Sequence, residues 1–138
     1  MRIRIFDAWV HEQDIRRALK LPGELEGPVA VHSVGRIARA MPFVVARKSQ
    51  APDGATVVFD ITGPAGRLVP VGVEGSRGSE LDSEPASPTV RITCDVETFA
   101  CLGCGRWDPA EALRSGKITV TGDTALGEAI VTNMNIMI

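Results

Sequence analysis

Residues 88–130 read PTVRITCDVETFACLGCGRWDPAEALRSGKITVTGDTALGEAI, and the order of their elements decides the fold. Apolar and polar residues alternate over 89–94 and again over 117–121, which predicts two half-buried strands. Three helical patterns each follow an aspartate, namely Asp95, Asp108 and Asp123. An aspartate in this place caps a helix by accepting a hydrogen bond from a backbone N–H of the first turn. The stretch therefore predicts strand, helix, helix, strand, helix.

A hairpin precedes this stretch. Strands are predicted over 55–62 and 67–73, because apolar residues alternate in both and the residues between them are Gly-Pro-Ala-Gly. Pro70 lies inside the second strand and favours an edge position, since proline cannot donate a hydrogen bond to a neighbouring strand. A short further strand is expected near 80–83, within a polar loop.

The first helix is predicted over 3–20, and Leu21-Pro22-Gly23 ends it. Its apolar side is expected to carry Ile5, Ala8, Trp9, Ile15 and Leu19. An exposed apolar stripe of this length is unfavourable in water. We therefore expect the helix to fold back on the domain or to form a homodimer with a second copy.

The second helix begins at Pro28, a residue favoured in the first helical turn. Its predicted apolar stripe is Val31, Val34, Ile37, Ala38 and Met41. Pro42 is expected to kink or break this helix, with a further turn or two after it. We predict that residues 28–138 form one α+β domain with a mainly antiparallel sheet and helices packed on it.

Composition limits the classes of partner. The 138 residues carry a net charge of −2 with no basic run, which argues against nucleic acid and anionic membranes as partners. No apolar run approaches transmembrane length and no signal peptide is evident, so we expect a cytoplasmic protein. Three cysteines are an odd number, and a disulfide framework is not expected.

Asp7 and His11 form the strongest chemical pattern. Four residues apart on a helix, their side chains point the same way and can bind one divalent metal ion. The same spacing also occurs on solvated helix faces and in His–Asp hydrogen bonds across one turn. On spacing alone, these ordinary explanations are favoured.

Three segments resemble the mycothiol-dependent maleylpyruvate isomerase family: DAWVHEQDIRRAL at 7–19, FDITGPAGR at 59–67 and DPAEALRSGKITVTGD at 108–123. The resemblance extends from about Phe6 to Asn135. It implies that residues 1–23 are the final helix of a DinB-like bundle whose other helices are absent. Residues 28–138 would then be the C-terminal domain, which has a sterol-carrier-protein-like fold.

The resemblance also implies a site. Asp7 and His11 stand where the family binds zinc or another divalent metal, although the acid is often Glu. The family's third ligand is a His on an earlier helix of the bundle, so the site in this chain is expected to be incomplete. Mycothiol is the implied cofactor, and the metal would favour its thiolate.

Arg106 is the implied catalytic residue, since it follows a helix as the family arginine that reaches the active site does. Its planar fork suits a carboxylate of the substrate or of mycothiol. An arginine favoured by the dipole at a helix C-terminus explains the position equally well.

The remaining reactive side chains are expected to be structural. No family motif covers His32, for which a capping or surface role is favoured. Cys101 and Cys104 form C-x-x-C near the C-terminal end of a helix, whereas redox pairs lie at an N-terminal end. Cys94 and Cys104 are expected to be buried as small apolar side chains. No fourth zinc ligand is evident near the cysteines.

Three functions remain open. The first is the C-terminal part of a mycothiol-dependent, metal-dependent isomerase or S-transferase acting on a small-molecule substrate. The second is a non-catalytic sterol-carrier-like module that binds a hydrophobic small molecule or a protein partner. The third is a structural domain that closes an active site supplied by another chain.

Overall fold

The computed structural model describes residues 2–137, with side chains from Arg4 onward; the ends of the predicted ranges, Met1 and Ile138, lie outside it. Along the described residues the elements are α1 (Arg2–Leu19), α2 (Pro28–Ala38), α3 (Met41–Phe43), β1 (Thr56–Thr62), β2 (Arg67–Glu74), β3 (Arg77–Glu80), β4 (Val90–Asp95), α4 (Val96–Gly103), α5 (Pro109–Arg114), β5 (Ile118–Gly122) and α6 (Thr124–Thr132). A π-helical segment, Val44–Lys48, continues α3.

The five strands form one sheet in the order β3-β2-β1-β4-β5. Neighbouring strands are antiparallel except β1 and β4, which run parallel. After β3 the chain returns through residues 81–89 and enters β4 in the same direction as β1. The predicted α+β class with a mainly antiparallel sheet is confirmed, and the four predicted strands lie within one residue of their expected bounds.

The expected edge position of the second strand is wrong, because β2 pairs with β1 on one side and β3 on the other. Pro70 is tolerated in an interior strand because its nitrogen points toward the side of β3, beyond the last residue pair of that strand, Val71 and Glu80. No carbonyl of β3 therefore lacks a donor because Pro70 has no N–H. The carbonyl of Pro70 faces the same way and accepts a hydrogen bond from Leu81 N at 2.8 Å. The short strand, expected near 80–83, begins at Arg77 instead.

The helices begin where the aspartates predict. Each capping carboxylate accepts from a first-turn N–H: Asp95 from Thr98 at 2.8 Å, Asp108 from Ala110 at 3.2 Å, and Asp123 from Leu126 at 3.1 Å. These caps fix the entry of α4, α5 and α6 directly after the preceding strand or loop. Residues 104–107, which connect α4 to α5, lie next to α1, where Arg106 donates hydrogen bonds to Asp14.

Helix α1 folds back on the domain, but with a different face from the one predicted. Its buried residues are Phe6, Trp9, Val10 and Gln13, at helical spacing i, i+3, i+4 and i+7. Of the predicted stripe, Trp9 is buried, whereas Ile5, Ala8, Ile15 and Leu19 are exposed. The helix carries two apolar stripes, and the buried one holds its largest side chain, Trp9.

Helix α2 and its continuation form the centre of the core. Val34, Ile37, Ala38 and Met41 are fully buried as predicted, while Val31 is exposed. Pro42 lies in the first turn of α3, where its missing N–H costs no helical bond. Contrary to the sequence-based expectation, residues 28–48 are long and apolar enough for a membrane span, but 56% of that window is buried in the domain, as in a core helix.

Candidate functional site

Asp7 and His11 lie one turn apart on the exposed side of α1. The His11 side chain is 74% exposed, and its Nδ1 lies 3.9 Å from Oδ2 of Asp14. Among the described residues no three His, Cys, Asp or Glu side chains come together in a group that could bind a metal. His32 lies in α2, half-buried, and joins no such group.

The donor set therefore does not fit a complete zinc site. Catalytic zinc normally takes three protein ligands and leaves the fourth position for water or substrate. Asp7 and His11 would supply only two. A third protein ligand would have to come from outside the described residues.

Arg106 connects the α4–α5 loop to α1. Its Nε lies 3.1 Å from Oδ1 of Asp14 and its Nη2 lies 2.9 Å from Oδ2, so both carboxylate oxygens are bound. Its Nη1 donates to the carbonyl of Cys104 at 2.7 Å, which holds the guanidinium group against the backbone of its own loop. Such a bidentate pair adds geometric specificity that a single contact lacks.

Asp14 is the residue that sequence reasoning left without a role. It lies seven residues after Asp7, two turns along the same helix, but its partner Arg106 lies 92 residues away in the chain. Arg17 also donates to its Oδ1, at 2.5 Å. The pKa of Asp14 lies below its ordinary value, chiefly because its carboxylate accepts a hydrogen bond from Arg106. Burial acts in the opposite direction and offsets part of this effect.

We expect this ion pair to make stability depend on pH. Because the pKa of Asp14 is lowered in the folded state, its contribution is present above about pH 4 and is lost as the pH falls through the lowered value. Arg106→Gln should lower the free energy of unfolding at neutral pH by about 1 kcal/mol or less, since a third of Asp14 is exposed and solvent screens the pair.

Urea unfolding of wild type, Arg106→Gln and Asp14→Asn across the acid range measures this effect. The difference in unfolding free energy between wild type and Arg106→Gln should shrink as the pH falls. In Asp14→Asn the part of the pH dependence of stability that comes from this carboxylate should be absent. A difference that stays constant with pH would show that Arg106 acts through the Cys104 carbonyl instead.

The three cysteines are buried and free. Burial raises the pKa of Cys94 and of Cys101 to about 12 and that of Cys104 to about 11. The thiolate is the reactive form, so these environments suppress redox and metal chemistry. The expected burial of Cys94 and Cys104 is confirmed, and Cys101 shares it.

The thiols should therefore resist alkylation while the protein is folded. At pH 8 we expect reaction with iodoacetamide to be slower than for a free cysteine by on the order of 10³-fold. Mass spectrometry should find three modified cysteines after unfolding in guanidinium and none before. Rapid modification of Cys101 or Cys104 in the native protein would contradict the structural assignment.

A cleft of about 290 Å³ opens beside Arg106. Trp107 and Ala112 contribute apolar surface to it, and the Lys117 ammonium lies 4.9 Å from the centre of the Trp107 ring. The Arg106 side chain therefore lines this cleft and also contacts α1. A larger cleft of about 500 Å³ lies beside Arg91, but Asp60 and Glu84 already bind that guanidinium.

Comparisons with known proteins agree with this architecture. The family model described as MDMPI C-terminal domain matches residues 31–129, a range that includes Arg106 and excludes Asp7 and His11. A search of curated protein sequences finds no significant match.

Several solved structures are similar to the chain. The UbiJ-SCP2 ubiquinone synthesis protein is 13% identical, with 78% of this chain and 96% of that chain covered and a TM-score of 0.55. Sterol carrier protein 2 like 2 from Aedes aegypti is 21% identical, with 74% and 94% covered and a TM-score of 0.54. Its palmitated form is 21% identical, with 71% and 87% covered and a TM-score of 0.52. At these identities the similarity establishes the fold alone.

Proposed function

Because the chain belongs to the MDMPI C-terminal domain family, where MDMPI is mycothiol-dependent maleylpyruvate isomerase, we propose that it is the C-terminal part of a mycothiol-dependent, metal-dependent isomerase or S-transferase. In this proposal α1 is the last helix of a DinB-like bundle and provides Asp7 and His11 as two of the metal ligands. The substrate is a small molecule that carries a carboxylate. The remaining ligand comes from another segment or another chain.

One contact supports this proposal above the others. Arg106, inside the region that the family model matches, binds both carboxylate oxygens of Asp14 on α1, and Asp14 lies 3.9 Å from His11. An arginine of the C-terminal domain is therefore next to the helix face that carries the proposed ligands.

Arg106 acts first as a positioning residue. Its pair with Asp14 fixes the rotation of α1 on the domain, and with it the direction in which His11 is presented. In the assembled site the same planar fork could bind a carboxylate of the substrate or of mycothiol in place of Asp14, because both present the same pair of oxygens.

Zinc titration by calorimetry tests the proposal. Two ligands should hold zinc several kcal/mol more weakly than the roughly 10–16 kcal/mol measured for complete four-ligand sites. We therefore expect weak binding by protein purified without a histidine tag, further weakened in His11→Ala and unchanged in the control His32→Ala. The chain alone should show no isomerase activity with mycothiol, whereas a partner that supplies the remaining helices should raise zinc affinity.

Other outcomes distinguish the alternatives. Tight one-to-one binding by a monomer, lost in His11→Ala, would mean that the chain itself contains a further ligand. Weak binding that His11→Ala leaves unchanged would favour the second candidate, a module that binds a hydrophobic small molecule. That candidate is supported by the similarity to a palmitated sterol carrier protein. Its cleft would be the one beside Trp107.

A further inference from the structure

Three arginines without carboxylate partners line one cleft. Arg39, Arg47 and Arg77 are exposed, and within residues 4–137 none of them forms an ion pair or a hydrogen bond with a carboxylate. Six other arginines contact a carboxylate, namely Arg16, Arg17, Arg67, Arg91, Arg106 and Arg114. Among the other described arginines, Arg36 lies over the Phe6 ring, and Arg4 is exposed without a carboxylate contact. In a chain with a net charge of −2, the three unpaired guanidinium groups are a local concentration of positive charge.

Two of these arginines come from the helical segment that follows α2. Arg39 is the C-cap of α2, Phe43 ends α3 and Arg47 lies in the π-helical segment. All three side chains line the same cleft. Phe43 lies between the two arginines in the sequence, and its side chain is 59% exposed, so its ring faces the solvent of the cleft.

Arg77 reaches the same cleft from the edge strand β3. The next residue, Gly78, allows a close approach: a methyl group on it would lie 2.3 Å from the carbonyl oxygen of Pro42. The backbone of β3 therefore packs directly against α3 and sets Arg77 opposite the helix. Glu74 is the cross-strand partner of Arg77, yet the two side chains form no ion pair.

From this geometry we infer that the cleft binds a small organic anion with two or more negative groups and an aromatic ring. Guanidinium groups suit carboxylate and phosphate because their planar forks donate two parallel hydrogen bonds. The exposed Phe43 ring offers a face on which a flat ligand can stack. The cleft measures about 430 Å³, within the range of about 300–1,000 Å³ typical of small-molecule sites. None of its residues takes part in the contact between Arg106 and α1.

Calorimetry with two probes tests this inference: benzene-1,3,5-tricarboxylate and 1-naphthyl phosphate, with benzyl alcohol as the neutral control. We expect one-to-one binding of at least one anionic probe and none of the alcohol. Arg39→Gln, Arg47→Gln and Arg77→Gln should each weaken binding by about tenfold, because each removes a charge-assisted hydrogen bond. Phe43→Ala should weaken binding of both aromatic probes, because it removes the ring on which they stack.

Matched controls separate a site from general electrostatics. Arg114→Gln removes the same charge from a different exposed position and should leave affinity unchanged. Since all three cleft arginines are exposed, their variants should keep the wild-type circular dichroism spectrum. No binding of either anionic probe, or an equal loss in Arg114→Gln, would overturn the inference. So would tighter binding to phosphatidylserine vesicles or to a hexaglutamate peptide, which would identify a membrane surface or a protein as the partner.

Discussion

Trp9→Ala is expected to lower the free energy of unfolding by about 3–5 kcal/mol, the range for truncating a buried aromatic side chain. Trp9 is 2% exposed, and its indole Nε1 donates to the carbonyl of Glu24 at 2.8 Å. Gln13, one turn later, donates to the carbonyls of Gly23 and Glu24. These bonds tie α1 to the linker that follows it, so the loss of Trp9 removes both packing and a hydrogen bond.

Two further variants separate these contributions in urea unfolding followed by circular dichroism. Trp9→Phe keeps most of the buried ring but removes the indole donor, so the Glu24 carbonyl keeps only the longer hydrogen bond from Gln13 at 3.3 Å. The lost hydrogen bond should cost about 0.5–1.5 kcal/mol. Ile15→Ala lies on the stripe that the sequence favoured. Ile15 is 60% exposed, so the change should be within about 0.5 kcal/mol of wild type. Equal losses in Trp9→Ala and Ile15→Ala would mean that α1 is not docked through Trp9.

The contrast between Trp9 and Ile15 shows where sequence reasoning reaches its limit. The sequence predicts a structural feature correctly where the physical cause of that feature lies within a few residues along the chain. Asp95, Asp108 and Asp123 cap the helices that follow them because a cap needs only the next turn. The strand alternation around Ile92 and Val120 was equally clear, since burial on one face imposes a period of two.

The choice between two possible faces of one helix depends on distant residues. Helix α1 carries two apolar stripes, and what selects the one with Trp9 is the position of α2 and of the linker residue Glu24. Pro70 was misplaced for a similar reason. A short strand was expected near 80–83, but β3 has the sequence Arg-Gly-Ser-Glu, without the alternating apolar pattern that marks a strand, so its start at Arg77 and its pairing with β2 could not be foreseen.

The candidate site shows the same difference between local and long-range causes. Asp7 and His11 could be singled out because their spacing is local, and Arg106 because it follows a helix in a family motif. The contact between Arg106 and Asp14 spans 92 residues of sequence and required the fold. The cleft between α3 and β3 likewise joins Arg47 to Arg77, whose proximity depends on the approach that Gly78 allows.

The last expected result concerns the two glycines of the segment DPAEALRSGKITVTGD. Gly116 and Gly122 both have positive φ, +77° and +89°, a conformation that costs other residues about 1–2 kcal/mol. Their surroundings differ. A methyl group on Gly116 would meet no atom within 4 Å, whereas one on Gly122 would lie 2.3 Å from the carbonyl oxygen of Thr89.

That carbonyl cannot move away freely, since it accepts a hydrogen bond from Asp123 N at 2.9 Å at the junction of β5 and α6. Gly116→Ala should therefore lower the free energy of unfolding by the conformational cost alone, about 1–2 kcal/mol. Gly122→Ala adds about 1–3 kcal/mol of overpacking, for a total of about 2–5 kcal/mol. Urea unfolding of both variants measures the difference. Equal losses would mean that β4 and β5 do not approach as closely at Gly122 as this sheet requires.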